Sequence, residues 1–283
     1  MKKATLILCA TLALVLAVGL AAVKRRQEPS YQSKTLTQWL EHYHRTDVFS
    51  GPSCLAAIQA MGTNAVPYFA KRLTPAWGLP VSWLNFLARA VPASVLDRLP
   101  NRDAATQRRN EAITMLGFLG TNSAAALPQI QKLFLSNEVG ERISARNALA
   151  KMHPVSTPFL LSILNDRKSM LRGAAATALA GLGAAAEPIF PAVTEALKNG
   201  NTQTAMGCLT IYEQADPVGL PYLVEALNHE SRNVRDAARD VLIGKRAKAE
   251  AVIPKLQAIE SSGGPGAEAA RDVLARLQPV AAQ

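Results

Sequence analysis

Apolar residues recur along most of the chain at spacings of three and four, which is one face of a helix. A small residue stands at Cys54, Ala112, Ala145, Ala175, Ala205 and Ala238. Four residues later come Ile58, Leu116, Leu149, Leu179, Leu209 and Leu242. A proline follows in each case. Pro128, Pro158, Pro191, Pro221 and Pro254 are separated by 30, 33, 30 and 33 residues, and Pro67 precedes Pro128 by 61, two periods. Two residues after each proline stand Phe69, Ile130, Leu160, Val193, Leu223 and Leu256. Six residues after stand Leu73, Phe134, Leu164, Leu197 and Leu227, with Glu260 breaking the last column. The pattern predicts a unit made of a small-residue helix, a short turn and a second helix. Proline opens the second helix, where its missing N–H costs nothing. Gly62, Gly120 and Gly183 mark the turn in three units, and His153, Glu213 and Arg246 fill that column in the others. No alternating pattern of useful length argues for a sheet.

One such pair cannot bury its apolar face alone, so the pairs must stack and share a continuous core. Alanine-rich runs such as Gly173–Ala178 let neighbouring helices approach closely, and alanine has the highest helix propensity. The predicted class is all-α: a right-handed α-solenoid of about six to seven helix pairs. Segments such as "ERISARNALAKM", "LRGAAATALAGLGAAAEPIFPAVTEAL" and "NVRDAARDVL…AVIPKL" resemble HEAT repeats, in the short form also found in phycobilisome lyases. The resemblance covers roughly residues 51–278. It specifies architecture well and function poorly, because such solenoids serve many roles. It implies an arginine near the start of the first helix of each unit, and Arg109, Arg142, Arg172 and Arg235 fall in that register while Cys54 and Thr202 interrupt the row. It also implies an acid six positions earlier, where only Asp166 fits; Ser136 and His229 hold the matching places. Two readings of this row stand: a ladder of bonds between repeats and helix ends, or a stripe of partner contacts.

Several stretches break the repeat. Residues 27–34 are polar and read as a linker. Thr35 and Gln38 form a capping-box pattern at the start of a helix over 35–45, with Leu36, Trp39, Leu40 and Tyr43 on one face. This helix, within a linker and cap region 27–50, seals the first repeat or lies on a membrane surface. The repeat region 51–283 holds an irregular unit at 74–104. There Trp77, Trp83 and Phe86 either fill the gap left by the degraded repeat or form an aromatic binding patch, with short helices over 81–90 and 93–99. Residues 261–266, Ser-Ser-Gly-Gly-Pro-Gly, read as a flexible break before a terminal helix over about 267–277.

The net charge of +10 changes meaning once it is located. Lys2, Lys3, Lys24, Arg25 and Arg26 flank one apolar segment. Without residues 1–26 the body keeps 26 basic and 21 acidic residues, or +5. A nucleic-acid binder concentrates cations on its folded face, and here only Lys245, Arg246 and Lys248 cluster. Ala4–Val23 is 20 uncharged residues, long enough as a helix to cross a bilayer core of ~30 Å. Residues 1–26 are therefore a signal peptide or a single-span anchor, and the basic cluster after the apolar run favours the anchor. Mature protein starting at Ala22 or Val23 would mean cleavage. The body is placed outside the cytoplasm, in the periplasm or cell envelope, with secretion as the alternative. Cys54 and Cys208 fall in apolar stretches and read as buried free thiols.

Motifs for chemistry are missing from the sequence. There is no HExxH, CxxC, GxxxxGK[ST], dinucleotide glycine fingerprint or GxSxG. His42 and His44 are two apart on a helix and do not share a face. No catalytic, cofactor or metal residue is predicted. The expected function is a non-catalytic scaffold that binds another protein along its repeat surface and holds the membrane through residues 4–23. One alternative is a HEAT-like lyase-type enzyme or chaperone. A further alternative is nucleic-acid or anionic-lipid binding, which the +5 body and export both disfavour.

Overall fold

All six repeat prolines stand second in a helix, in Val66–Leu73, Leu127–Phe134, Thr157–Asn165, Phe190–Asn199, Leu220–Ala226 and Ile253–Ser262. The ring fixes φ near the helical value and its missing N–H falls where no intrahelical acceptor exists. The sequence period is thus a period of helix starts. A computed structural model describes residues 28–45, 51–74, 102–245 and 249–277. The apolar segment Ala4–Val23 and the stretch carrying Trp77, Trp83 and Phe86 lie outside the described residues. Apart from one two-stranded hairpin the described chain is all-α. It divides into two compact units between Ala126 and Leu127, so the repeat region is spread over both.

The first unit opens with strands β1 (Ser30–Tyr31) and β2 (Lys34–Thr35), paired antiparallel through a turn at Gln32 and Ser33, both with positive φ. The stretch read from sequence as a linker is therefore a tight hairpin. Two-residue pairing leaves too short a pattern to be read as strand. Helix α1 (Leu36–Arg45) follows. Its capping box is fully formed: Thr35 N–H donates to Gln38 Oε1 at 2.8 Å, and Gln38 N–H donates to Thr35 Oγ1 at 3.3 Å. Glu28 adds a third cap, accepting from Thr37 N–H at 2.6 Å. Leu36, Trp39 and Leu40 are buried, and α1 packs on α2 (Gly51–Met61). Helix α3 (Val66–Leu73) and α4 (Arg102–Leu119) complete the unit, with α4 against both α2 and α3.

The second unit runs α5 (Leu127–Phe134), α6 (Val139–Lys151), α7 (Thr157–Asn165), α8 (Arg172–Leu179), α9 (Phe190–Asn199), α10 (Thr202–Gln214), α11 (Leu220–Ala226), α12 (Arg232–Gly244), α13 (Ile253–Ser262) and α14 (Ala267–Leu277). First helices pack on one another in chain order: α6 on α8, α8 on α10, α10 on α12 and α12 on α14. Each second helix packs on the first helix that follows it. The columns found in the sequence form the seam, since Ala145, Ala175, Ala205, Ala238, Leu149, Leu179, Leu209 and Leu242 are all buried. Full burial of each leucine contributes about 1.5–3 kcal/mol.

Small residues set the spacing between first helices. A Cβ on Gly207 of α10 would lie 2.7 Å from Ala176 Cβ and 2.9 Å from the Gly173 carbonyl oxygen of α8. Hydrogen is the only substituent that fits there. Arg172–Asn199 is the one described stretch long and apolar enough to cross a membrane by length and composition. Gly183, at φ +55°, breaks it into α8 and α9, each packed against neighbouring helices. Phe190, Tyr212 and Tyr222 tie α9, α10 and α11 together. The two tyrosines stack at 5.1 Å, and Phe190 meets them edge-on at 5.2 and 4.7 Å. The glycine-rich stretch after α13 is an ordered turn rather than a loose break. Ser261 and Ser262 finish the helix, Gly263 ends it in the left-handed region, and Gly266 sits against the Leu227 carbonyl.

Candidate functional site at the helix-pair junctions

The arginine row leads to the junctions between pairs. Arg142, at the start of α6, donates to the Ser136 carbonyl at 3.2 Å. Arg235, at the start of α12, donates from one nitrogen to the His229 and Glu230 carbonyls, both at 2.8 Å. Ser136 and His229 are the positions six residues earlier at which the resemblance implies an acid. Their backbone oxygens serve instead, because the chain leaving a second helix has carbonyls without helical partners. Arg172 is the most buried of the four, at 6% exposure. Its Nε donates to the Leu164 carbonyl at 2.8 Å and a terminal nitrogen donates to Asn199 Oδ1 at 2.7 Å. One guanidinium therefore joins α8 to the ends of α7 and α9. Asp166, the one acid in the expected register, accepts the Lys168 N–H at 3.0 Å instead. Arg109 is partly buried on α4.

The structure brings out a second column. Eleven residues after the small residue stand Ala65, Ser123, Ser156, Ala186, Asp216 and Ala249. Ser123 and Ser156 are fully buried. Each donates to the carbonyl seven residues back, Leu116 and Leu149 respectively, at 2.7 Å. The hydroxyl thus closes the end of the first helix. Two buried serines 33 residues apart were the available signal. Asp216, in the same column, lies 3.6 Å from Lys245 Nζ across to the next pair's turn.

Both described histidine rings bridge pairs. His153 Nε2 lies 3.0 Å from the Ala178 carbonyl of α8 and its Nδ1 lies 2.8 Å from Thr157 Oγ1. A carbonyl only accepts, so Nε2 carries the proton and Nδ1 accepts from the threonine. His229 repeats the arrangement: Nε2 donates to the Leu197 carbonyl at 3.1 Å, and Nδ1 accepts the Ser231 N–H at 3.0 Å. Burial pushes the His153 imidazole below its ordinary range, opposed by the Ala178 bond.

These groups are held by structure rather than poised for chemistry. Ser156 stands 3.3 Å from His153 Nδ1, but its proton is committed to Leu149. Burial, then the Glu111 charge, raises the Cys54 thiol to about 11. Burial raises Cys208 to about 12 against the opposing charge of Arg172. Burial also raises the Tyr212 phenol, whose oxygen is 2.8 Å from Thr194 Oγ1. Among the described residues no three His, Cys, Asp or Glu side chains are grouped to hold a metal. Arg239 collects Asp236, Asp240 and Asp272 between α12 and α14, at 2.9–3.5 Å. Exposed large apolar side chains include Leu135, Val139, Ile143, Met170 and Met206.

No family model matches the chain, and no curated protein matches it significantly.

Proposed function

We propose that the chain is a HEAT-like α-solenoid that works as a non-catalytic protein-interaction scaffold, tethered to a membrane or exported through residues 4–23. The body lies outside the cytoplasm. The observation that carries this reading is the ordered succession of first helices, α6 on α8 on α10 on α12 on α14. Such a succession creates a long outer surface whose shape, rather than any one reactive group, does the recognising. The nitrogen and oxygen atoms that could do chemistry support the same reading. Arg142, Arg172, Arg235, His153, His229 and Ser156 are spent on backbone groups at the junctions. Exposed apolar side chains on first helices, Ile143 on α6 and Met206 on α10, are the places a partner would cover.

The test is photo-crosslinking of the full chain in its native membrane, with the reactive side chain at Ile143 or Met206. The scaffold reading expects a discrete protein adduct that still forms when irradiation is carried out in raised salt. Adducts only to nucleic acid, whose formation is suppressed by salt present during irradiation, would contradict it.

A further inference from the structure

The end of α9 brings together a chemically labile pair of residues, each held in place by its neighbours. Asn199-Gly200 is the one Asn-Gly sequence in the chain. The packing requires the glycine: a Cβ at Gly200 would lie 2.5 Å from the Ala196 carbonyl oxygen and 2.7 Å from Thr204 of α10. The buried guanidinium of Arg172 engages the asparagine. It donates to Asn199 Oδ1 at 2.7 Å and to the Asn199 carbonyl at 3.5 Å. At the other end of the side-chain amide, Nδ2 donates to Glu195 Oε1 at 2.8 Å. Both atoms of the amide are therefore tied, one to α8 and one to the preceding turn of α9. Gly200 leaves the helix in extended backbone, at φ −85° and ψ 162°, with no side chain to shield its nitrogen.

We propose that Asn199 is a site of spontaneous deamidation, and that Arg172 and Glu195 hold the reaction back in the folded chain. The Gly200 backbone nitrogen attacks Asn199 Cγ. Its proton passes to the side-chain nitrogen, which leaves as ammonia, and a five-membered succinimide forms. Water then opens the ring at either carbonyl and gives aspartate or isoaspartate. Water is gained and ammonia is lost, and no oxidant or cofactor is needed. Cyclisation requires the amide to leave both bonds, because Cγ must turn onto the Gly200 nitrogen. The rate in the folded chain then follows how often this end of α9 opens. A hydrogen bond to a charged group is worth about tenfold in such an equilibrium, so the folded chain reacts about tenfold or more slowly than the unfolded chain. The two products differ in their effect. Aspartate keeps an acceptor for Arg172, now charged, whereas isoaspartate adds a carbon to the backbone where Gly200 is already packed against Ala196 and Thr204.

The full chain is aged at pH 8 and 37 °C, folded in detergent and unfolded in guanidinium chloride, and peptide mapping resolves the asparagine, aspartate and isoaspartate forms at position 199. The unfolded chain should convert at Asn199 ahead of every other asparagine, and the folded chain about tenfold or more slowly. Glu195→Ala, a change at a side chain with 61% exposure, frees Nδ2 without disturbing the core and should react several-fold faster than the unmodified folded chain. Equal rates in the folded and unfolded chain would overturn the proposal. So would a Glu195→Ala rate equal to that of the unmodified folded chain, or unfolded conversion at Asn199 no faster than at the other asparagines.

Discussion

Replacing Gly207 by alanine tests the closest helix contact in the second unit. The added Cβ would meet Ala176 Cβ at 2.7 Å and the Gly173 oxygen at 2.9 Å, whereas ordinary contact begins at 3.4 Å. Neither neighbour is a flexible side chain, so relief requires α8 and α10 to separate by several tenths of an ångström. Overpacking of this kind costs about 1–3 kcal/mol. Alanine returns about 1 kcal/mol of helix propensity. The clash is against a Cβ fixed to its helix and a backbone oxygen, which puts the cost at the upper end and the net loss near ~2 kcal/mol. For a unit of this size that lowers Tm by about 4–8 °C. Gly244→Ala is the control, because nothing lies within 4 Å of its Cβ and its φ is not positive. It should stabilise by about 0.4–1 kcal/mol. Urea melts of both variants, read by far-ultraviolet circular dichroism, separate the two effects. A Gly207→Ala protein as stable as Gly244→Ala, with unchanged m, would refute the close approach of α8 to α10.

Other substitutions probe the junctions. Ser156→Ala removes one of two donors from the buried Leu149 carbonyl, which keeps the Met152 N–H, and should lower stability by about 0.5–1.5 kcal/mol in denaturant melts; Ser123→Ala, which removes the donor to Leu116, should lower stability at least as much in the first unit. Arg172→Met removes a buried guanidinium that joins α8 to the ends of α7 and α9, and should cost more than Arg142→Ala or Arg235→Ala, whose arginines bond to loop carbonyls. Peptide mapping after iodoacetamide at pH 8 should find Cys54 and Cys208 unlabelled in native protein and labelled after unfolding, since their thiols are raised to about 11 and about 12.

Much of this architecture was legible because its signals are one-dimensional. Proline position, the small-residue column and the leucine four residues later each follow from where a helix starts or what it faces. Each found its expected place. The capping box at Thr35 and Gln38 was readable for the same reason: both partners lie within one turn. What escaped depends on backbone oxygens, which no sequence distinguishes. The arginine row was visible, but the acid sought six residues earlier was replaced by the carbonyls of Ser136 and His229. The buried hydroxyls of Ser123 and Ser156 look like ordinary turn serines until the turns are aligned. The hairpin at 30–35 was too short for an alternating pattern, and the 261–266 turn owes its order to Gly266 packing on Leu227.

The central claim is that these pairs are stable through their neighbours. It is tested most directly by ending the chain after Gly244, which removes α13 and α14 and uncovers the face of α12. Hydrogen exchange is then followed in α8 and α10. Loss of protection spreading from α12 into α10 and α8 is the predicted result, because each first helix rests on the next. Unchanged protection in α10 and α8 would contradict it.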